Sequence, residues 1–198
     1  MPNHFLTIFD IPKEEALAVV KRAHQMKAEG LRLDTLAGKT LLLIFEKAST
    51  RTRVSFEVGV RQLGGDAVFI ASRDSQLGRS EPLEDTARVL TRYADGLVVR
   101  TFGQHKLDVL ANYGDIPVIN ALTDEYHPCQ VMSDMLTMYE RTPELDKLKV
   151  AWIGDGNNMA HSFINASAWF GFELAIACPE GTTRTRRFWT RPLILARR

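Results

Sequence analysis

Residues 45–57 read Phe-Glu-Lys-Ala-Ser-Thr-Arg-Thr-Arg-Val-Ser-Phe-Glu, and they gather the residue types that hold a small anion. An apolar run, 41–45, stops at Glu46. Ser49 and Thr50 follow, and an amphipathic helix with Arg51 and Arg53 near its start comes next. The first N–H groups of a helix have no partners within it, and the helix dipole makes that end positive. Ser49, Thr50 and Thr52 add hydroxyls, while Arg51 and Arg53 add guanidinium forks suited to two-point phosphate contacts. An ordinary Ser/Thr cap followed by surface arginines has the same spacing, so the segment by itself leaves both readings open.

Three further groups lie at similar places along the chain. Arg100 closes the apolar stretch 96–99, where a lone arginine is usually just solvated. His127-Pro128-Cys129-Gln130 sits between a strand-like and a helix-like stretch. His127 is read as a donor to a carbonyl oxygen or as a loop histidine bonded to backbone. A Cys129–His127 nucleophile would need a third orienting group and an electropositive setting. Asp155-Gly156-Asn157-Asn158 again follows a strand and opens a helix. One asparagine there suits a helix cap, and the other suits the amino and carboxylate groups of an amino acid.

Some motifs fail. Gly38-Lys39-Thr40 resembles the end of a phosphate-binding P-loop, but position 33 holds Leu33 where the first glycine belongs, and the segment precedes a strand. No G-x-G-x-x-G fingerprint occurs, so no nicotinamide or flavin is expected. Cys129 and Cys178 lack metal-ligand or redox spacing, and no metal is expected.

The elements that must position these groups alternate. A first helix is expected to begin near Asp10, with Pro12 in its first turn, and to end at Gly30. Strand-like runs fall at 40–45, 67–71, 97–101, 117–121, 150–153 and 174–177, with helical stretches at 53–63, 83–93, 107–113, 131–140 and 159–170. This order predicts an α/β fold, a mostly parallel sheet flanked by helices, followed by the start of a second, incomplete Rossmann-like α/β domain. In such sheets ligands gather at the carboxyl ends of strands, where Ser49, Arg100, His127 and Asp155 all lie. The domains are expected at 1–141 and 150–181, with the break at 141–149 and the preceding helix as a bridge. Residues 182–198 carry six arginines and no acid, with neither helical nor strand period. A frameshifted or truncated product is the preferred reading there; a tail for an anionic partner is the other.

The 198 residues are 45% hydrophobic and 25% charged, with a net charge of +1, which gives no reason to expect nucleic acid or a membrane partner. No signal-like start or membrane-length apolar run occurs, and a reducing cytoplasm is the expected setting.

Ser-Thr-Arg-Thr-Arg at 49–53 with Ser-Phe-Glu at 55–57 resembles the carbamoyl-phosphate loop of the aspartate and ornithine carbamoyltransferases. His127-Pro128-Cys129-Gln130 and Asp155-Gly156-Asn157-Asn158-Met159 agree, the latter with the ornithine branch, and the likeness runs from Phe5 to about Gly181. The resemblance implies transfer of a carbamoyl group from carbamoyl phosphate to the δ-amino group of L-ornithine, giving citrulline and phosphate without a cofactor. It implies that Ser49, Thr50, Arg51 and Thr52 hold the phosphate, and that Thr52, Arg100 and His127 face the carbonyl oxygen. Gln130 would take the carbamoyl amide, and Asn158 with Asn157 the ornithine. Gln76 would reach the site of a neighbouring subunit in a homotrimer. In the family an Asp, a Ser-Met pair and a His-Cys-Leu-Pro loop complete the ornithine site, and none of these occurs in this sequence. The expectation is therefore a first domain that folds and binds phosphate weakly, with no normal turnover by this chain alone. An aspartate carbamoyltransferase, and a non-catalytic fragment keeping only subunit association, are the alternatives.

Overall fold

The computed structural model describes residues 3–71, 81–182 and the backbone of 193–194. The chain divides into two compact units: Met1–Leu6 with Gly30–Asp124, and Thr7–Glu29 with Glu125–Arg198.

In the first unit the strands β1 (Thr40–Phe45), β2 (Asp66–Ala71), β3 (Gly96–Arg100) and β4 (Val118–Leu122) form one parallel sheet in the order β2-β1-β3-β4. Helices α2 (Thr50–Gln62), α3 (Leu83–Leu90) and α4 (Gln104–Tyr113) make the crossovers. The unbroken apolar run of β1 has a direct cause. Leu42 and Ile44 join a core with Ala87, Leu97, Leu107 and Leu110, under α3 and α4. Leu41, Leu43 and Phe45 join another with Val60 and Val98, under α2. Successive side chains of a strand point to opposite faces, so a strand covered on both must be apolar at every position.

The strand order reverses between β1 and β3: from β1 the chain moves outward to β2, then returns to the other side of β1. Loops leaving neighbouring strands at such a point diverge to opposite faces and leave a crevice at the carboxyl ends. Glu46 follows β1 and Thr101 follows β3, and the Thr101 hydroxyl donates to the Glu46 carboxylate.

In the second unit β5 (Lys149–Ile153), β6 (Glu173–Ala177) and β7 (Leu193–Ile194) form a parallel sheet, and α6 (Asn158–Phe170) joins the first two. Helices α1 (Lys13–Glu29) and α5 (Pro128–Tyr139) belong to this unit. Ala16 and Val20 of α1, Val131 and Met135 of α5, and Phe163 and Phe170 of α6 share a buried core. This grouping differs from the expected 1–141 and 150–181 division. The apolar faces of α1 and α5 are buried against α6, and packing follows burial, not chain order.

Other departures have local reasons. Asp10 closes a 3-10 turn, Ile8–Asp10, instead of opening α1: Thr7 N–H donates to Asp10 Oδ2 at 2.7 Å, and the Thr7 hydroxyl accepts from Phe9 N–H. Helices α2, α4 and α5 start three residues before the expected positions 53, 107 and 131, because a helix begins at its cap. The 182–198 stretch, in which no strand period shows, supplies β7, which pairs with Ala175 and Ile176; two residues are too few to display a period. The rest of 183–198 lies outside the described residues.

Candidate functional site

Every first-unit group is positioned by the ends of β1 and β3. Ser49 is the N-cap of α2, with extended backbone, and its hydroxyl oxygen accepts from Thr52 N–H at 3.3 Å. Arg53 N–H donates to the Ser49 carbonyl. The N–H groups of Thr50 and Arg51 stand before the helix ladder begins and face its open end. A capping hydroxyl uses a lone pair and keeps its proton, which it can still donate to an anion.

A hollow of about 710 Å³ opens at this helix end, lined by Glu46, Ser49, Thr50, Arg53 and Glu57 with Phe69 among its apolar walls. Arg51 and Thr50 are exposed and Thr52 is half-buried. Arg53 lines the hollow and is also engaged within the unit. Its Nε donates to Glu57 at 3.1 Å, and its guanidinium lies 3.6 Å from the centre of the Phe69 ring. It fastens α2 to β2.

Arg100 is not in the lining of that hollow, but its backbone adjoins the loop. It pairs in register with Phe45, and its carbonyl accepts from Glu46 N–H at 2.8 Å. Burial pushes the Arg100 guanidinium below its usual pKa. Its Nε is buried with no hydrogen-bond partner among the described residues. A buried donor of this kind favours an anionic acceptor, because an unmet charged donor is costly. The register of β3 with β4 shifts between Val99 and Arg100. Opposite the shift, Leu122 has φ of 154°, and its N–H is held at 2.9 Å by Asn120 Oδ1. A non-glycine residue there costs about 1–3 kcal/mol and persists only where neighbours hold it.

In the second unit His127 is the buried N-cap residue of α5, with Pro128 at the first helical position. Its N–H donates to Ser162 Oγ at 2.9 Å, and Ser162 donates to the Asn158 carbonyl at 2.7 Å. His161 Nδ1 lies 3.0 Å from the Glu125 carbonyl. The second turn of α6 therefore holds the segment that carries His127. Gln130 is exposed in the first turn of α5, and its amide donates to Asp134 at 3.0 Å. Burial raises the Asp134 carboxyl above its usual pKa, and the Gln130 bond partly offsets this. Burial pushes the Cys129 thiol up to about 12. It is not a thiolate at neutral pH, and the nucleophile reading loses its reagent. Asn157 caps α6, its Oδ1 accepting from Met159 and Ala160 N–H at 2.9 and 3.3 Å. Asn158 is the first helical residue and is half-buried. Gln76 lies outside the described residues.

Sequence reasoning missed Ser162 and His161, which stand four residues after Asn158 and Asn157. That i, i+4 spacing on one helix face was the available signal. It also missed the partners of Glu46 and Lys47, for which no local signal existed. Among the described residues no group of three or more His, Cys, Asp or Glu is placed to hold a metal, and no helix is long and apolar enough to cross a membrane.

A parallel sheet with a hydroxyl-rich, arginine-bearing helix start at the carboxyl end of a strand is the α/β arrangement in which an anion can be held. Residues 3–140 match the family model for the aspartate/ornithine carbamoyltransferase carbamoyl-P binding domain, and residues 146–193 match that for the Asp/Orn binding domain. The chain belongs to the aspartate/ornithine carbamoyltransferase family. Within it, the chain is 64% identical over 181 residues to an ornithine carbamoyltransferase of Nitratidesulfovibrio vulgaris, covering 91% of this chain and 60% of that protein. The ornithine carbamoyltransferase of Nitrosococcus oceani is 55% identical over 90% of this chain and 60% of that protein. The solved ornithine carbamoyltransferase of Pyrococcus furiosus superposes with a TM-score of 0.88 at 40% identity, over 94% of this chain and 60% of that one. The Thermus thermophilus enzyme gives 0.89 at 36%, over 95% and 66%. The chain spans about 60% of the length of the curated relatives it matches.

Proposed function

We propose that the chain carries the carbamoyl-phosphate half of an ornithine carbamoyltransferase, with 1–141 as the carbamoyl-phosphate-binding domain and 150–181 as the beginning of the ornithine-binding domain. The observation that carries this reading is the Ser49-capped start of α2 after β1, whose neighbour β3 ends at Arg100 with its Nε buried and unmet among the described residues. Relatives that bear the name ornithine carbamoyltransferase at 64% identity support the choice of amino acid.

The reaction would be attack of the ornithine δ-amine on the carbamoyl carbon, with charge growing on the carbonyl oxygen and phosphate leaving. Ser49, Thr50, Arg51 and Thr52 would take the departing phosphate. Thr52, Arg100 and His127 would donate to the oxygen, and preorganised donors aimed at developing charge are the largest source of acceleration in such sites. Gln130 would bind the carbamoyl amide, and Asn158 with Asn157 the α-amino and carboxylate groups. The attacking ammonium resembles that of lysine, with a pKa of about 10.4, and must lose its proton first. The rate would therefore rise from mildly acidic to alkaline pH. We further propose a homotrimer in the cytoplasm, serving arginine metabolism, with Gln76 completing a neighbour's site.

Calorimetric titration with carbamoyl phosphate tests the core of this. Arg51→Ala should weaken binding about 10- to 100-fold, the range of a charge-assisted hydrogen bond, while the melting temperature of this exposed position stays unchanged. Equal affinity in both proteins would sink the assignment. A citrulline assay, run beside one with aspartate as acceptor, separates the ornithine reading from the aspartate one.

A further inference from the structure

Glu46 and Lys47 stand where β1 gives way to the loop that starts α2, and each side chain is held by its own ionic partner. The Glu46 carboxylate, 14% exposed, accepts from Lys106 Nζ at 2.8 Å on each oxygen, and from the Thr101 hydroxyl. Its N–H donates to the Arg100 carbonyl at 2.8 Å. Lys47 Nζ pairs with Asp124 and lies 4.5 Å from the centre of the Phe102 ring. Asp124 N–H donates to the Phe102 carbonyl at 2.7 Å, which joins the two anchor points to each other.

A carboxylate here is chemically awkward. It stands three residues before the Ser49 cap, its charge repels any anion bound at that cap, and its partial burial costs solvation. Electrostatics alone would place a neutral or basic residue at this point. What a buried, triply bonded carboxylate provides is a fixed position, since charge-assisted bonds are short and directional. Lys106 cancels its charge and ties it to the first turn of α4.

We propose that Glu46 and Lys47 are positioning residues, a two-armed ionic clamp that holds the Ala48–Thr52 segment in its anion-binding shape before the anion arrives. The clamp rests on the reading of that segment as the phosphate cradle. By ordering the loop in advance, it would spare the ligand the cost of ordering it.

Two acid neutralisations test it, because charge and position predict opposite outcomes. Glu46→Gln and Asp124→Asn each remove a negative charge near the cradle, so Coulomb effects alone would tighten binding of carbamoyl phosphate and of inorganic phosphate. The clamp requires both to weaken it, by about three- to thirtyfold. Lys106→Met should lose more than Glu46→Gln, and the double variant Glu46→Gln/Lys106→Met should recover part of that loss, as coupled partners do. Amide hydrogen exchange supplies a readout independent of ligand: residues 48–52 should exchange faster in both acid variants, while protection in the β1 core persists. Unchanged or tighter binding together with unchanged exchange would overturn the clamp. If the parent chain binds neither ligand, the cradle reading fails, and the exchange of residues 48–52 alone then decides the clamp.

Discussion

At Asp134 a single carboxyl reports on how much water α5 excludes. Burial holds its pKa above the ordinary value, with Gln130 pulling the other way. The folded state therefore favours the protonated form more than the unfolded chain does. That contribution is fully present below the unfolded value of about 3.9 and disappears as pH rises through the raised folded value. At neutral pH the ionised side chain is a net burden. Asp134→Asn, which still accepts from Gln130, should raise the melting temperature at pH 7, with the gain vanishing near pH 3.5; an equal or lower melting temperature at pH 7 would show that the carboxylate is well solvated. Cys129 makes a simpler case. With its thiol pushed up to about 12 it should alkylate far more slowly at pH 7 than after denaturation, and Cys129→Ser should keep phosphate affinity within about twofold. Rapid modification of the native chain would contradict the burial that produces the shift.

At the scale of elements the proposed site rests on helix starts, and two of these are also side-chain caps. Ser49 and Asn157 both hold the first N–H groups of their helices with a side-chain oxygen. Stability and ligand binding can be separated at Ser49 by choosing the replacement. Ser49→Ala should cost about 1 kcal/mol, the usual value for losing a cap, and should weaken phosphate binding. Ser49→Asp keeps the cap and suits the helix dipole, so the denaturation midpoint should hold or rise. The added carboxylate would sit in the cradle, and phosphate binding should be lost. Retained binding in Ser49→Asp would mean that the hydroxyl serves α2 alone. At its other end α6 closes with Gly171 at φ of 85°, its N–H on the Ser167 carbonyl. The left-handed turn there delivers the chain directly into β6, and a side chain at that φ would be strained.

Across the whole molecule, two of the buried clusters lie in the first unit and one in the second. Trp152 and Trp169 fall in the second unit, and Trp189 lies outside the described residues. Leu43 is fully buried between β1 and α2, and truncating such a leucine costs about 2–5 kcal/mol. Leu43→Ala should therefore lower the urea midpoint seen by circular dichroism more than the one seen by tryptophan fluorescence. Coincident shifts of full size in both probes would show that the units unfold as one. The relatives' greater length bears on activity at this scale. Mixing this chain with an intact relative and measuring lost activity would reveal subunit association, the alternative to turnover.

The sequence by itself determined what is written in neighbouring residues. The alternation of strands and helices, the continuous burial of β1, the capping sites and the placement of Ser49, Arg100, His127 and Asp155 at strand ends all follow from local period and cap chemistry, and all reappear in the fold. Tertiary structure alone decided which strands are neighbours and so which loops meet. The order β2-β1-β3-β4 sets Glu46 beside Arg100 and within reach of Lys106, sixty residues away. Packing also gave α1 to the second unit and set the Arg53 guanidinium over Phe69. Such pairings depend on which faces are buried against each other, and a run of residues fixes its own period without fixing its partner across the sheet.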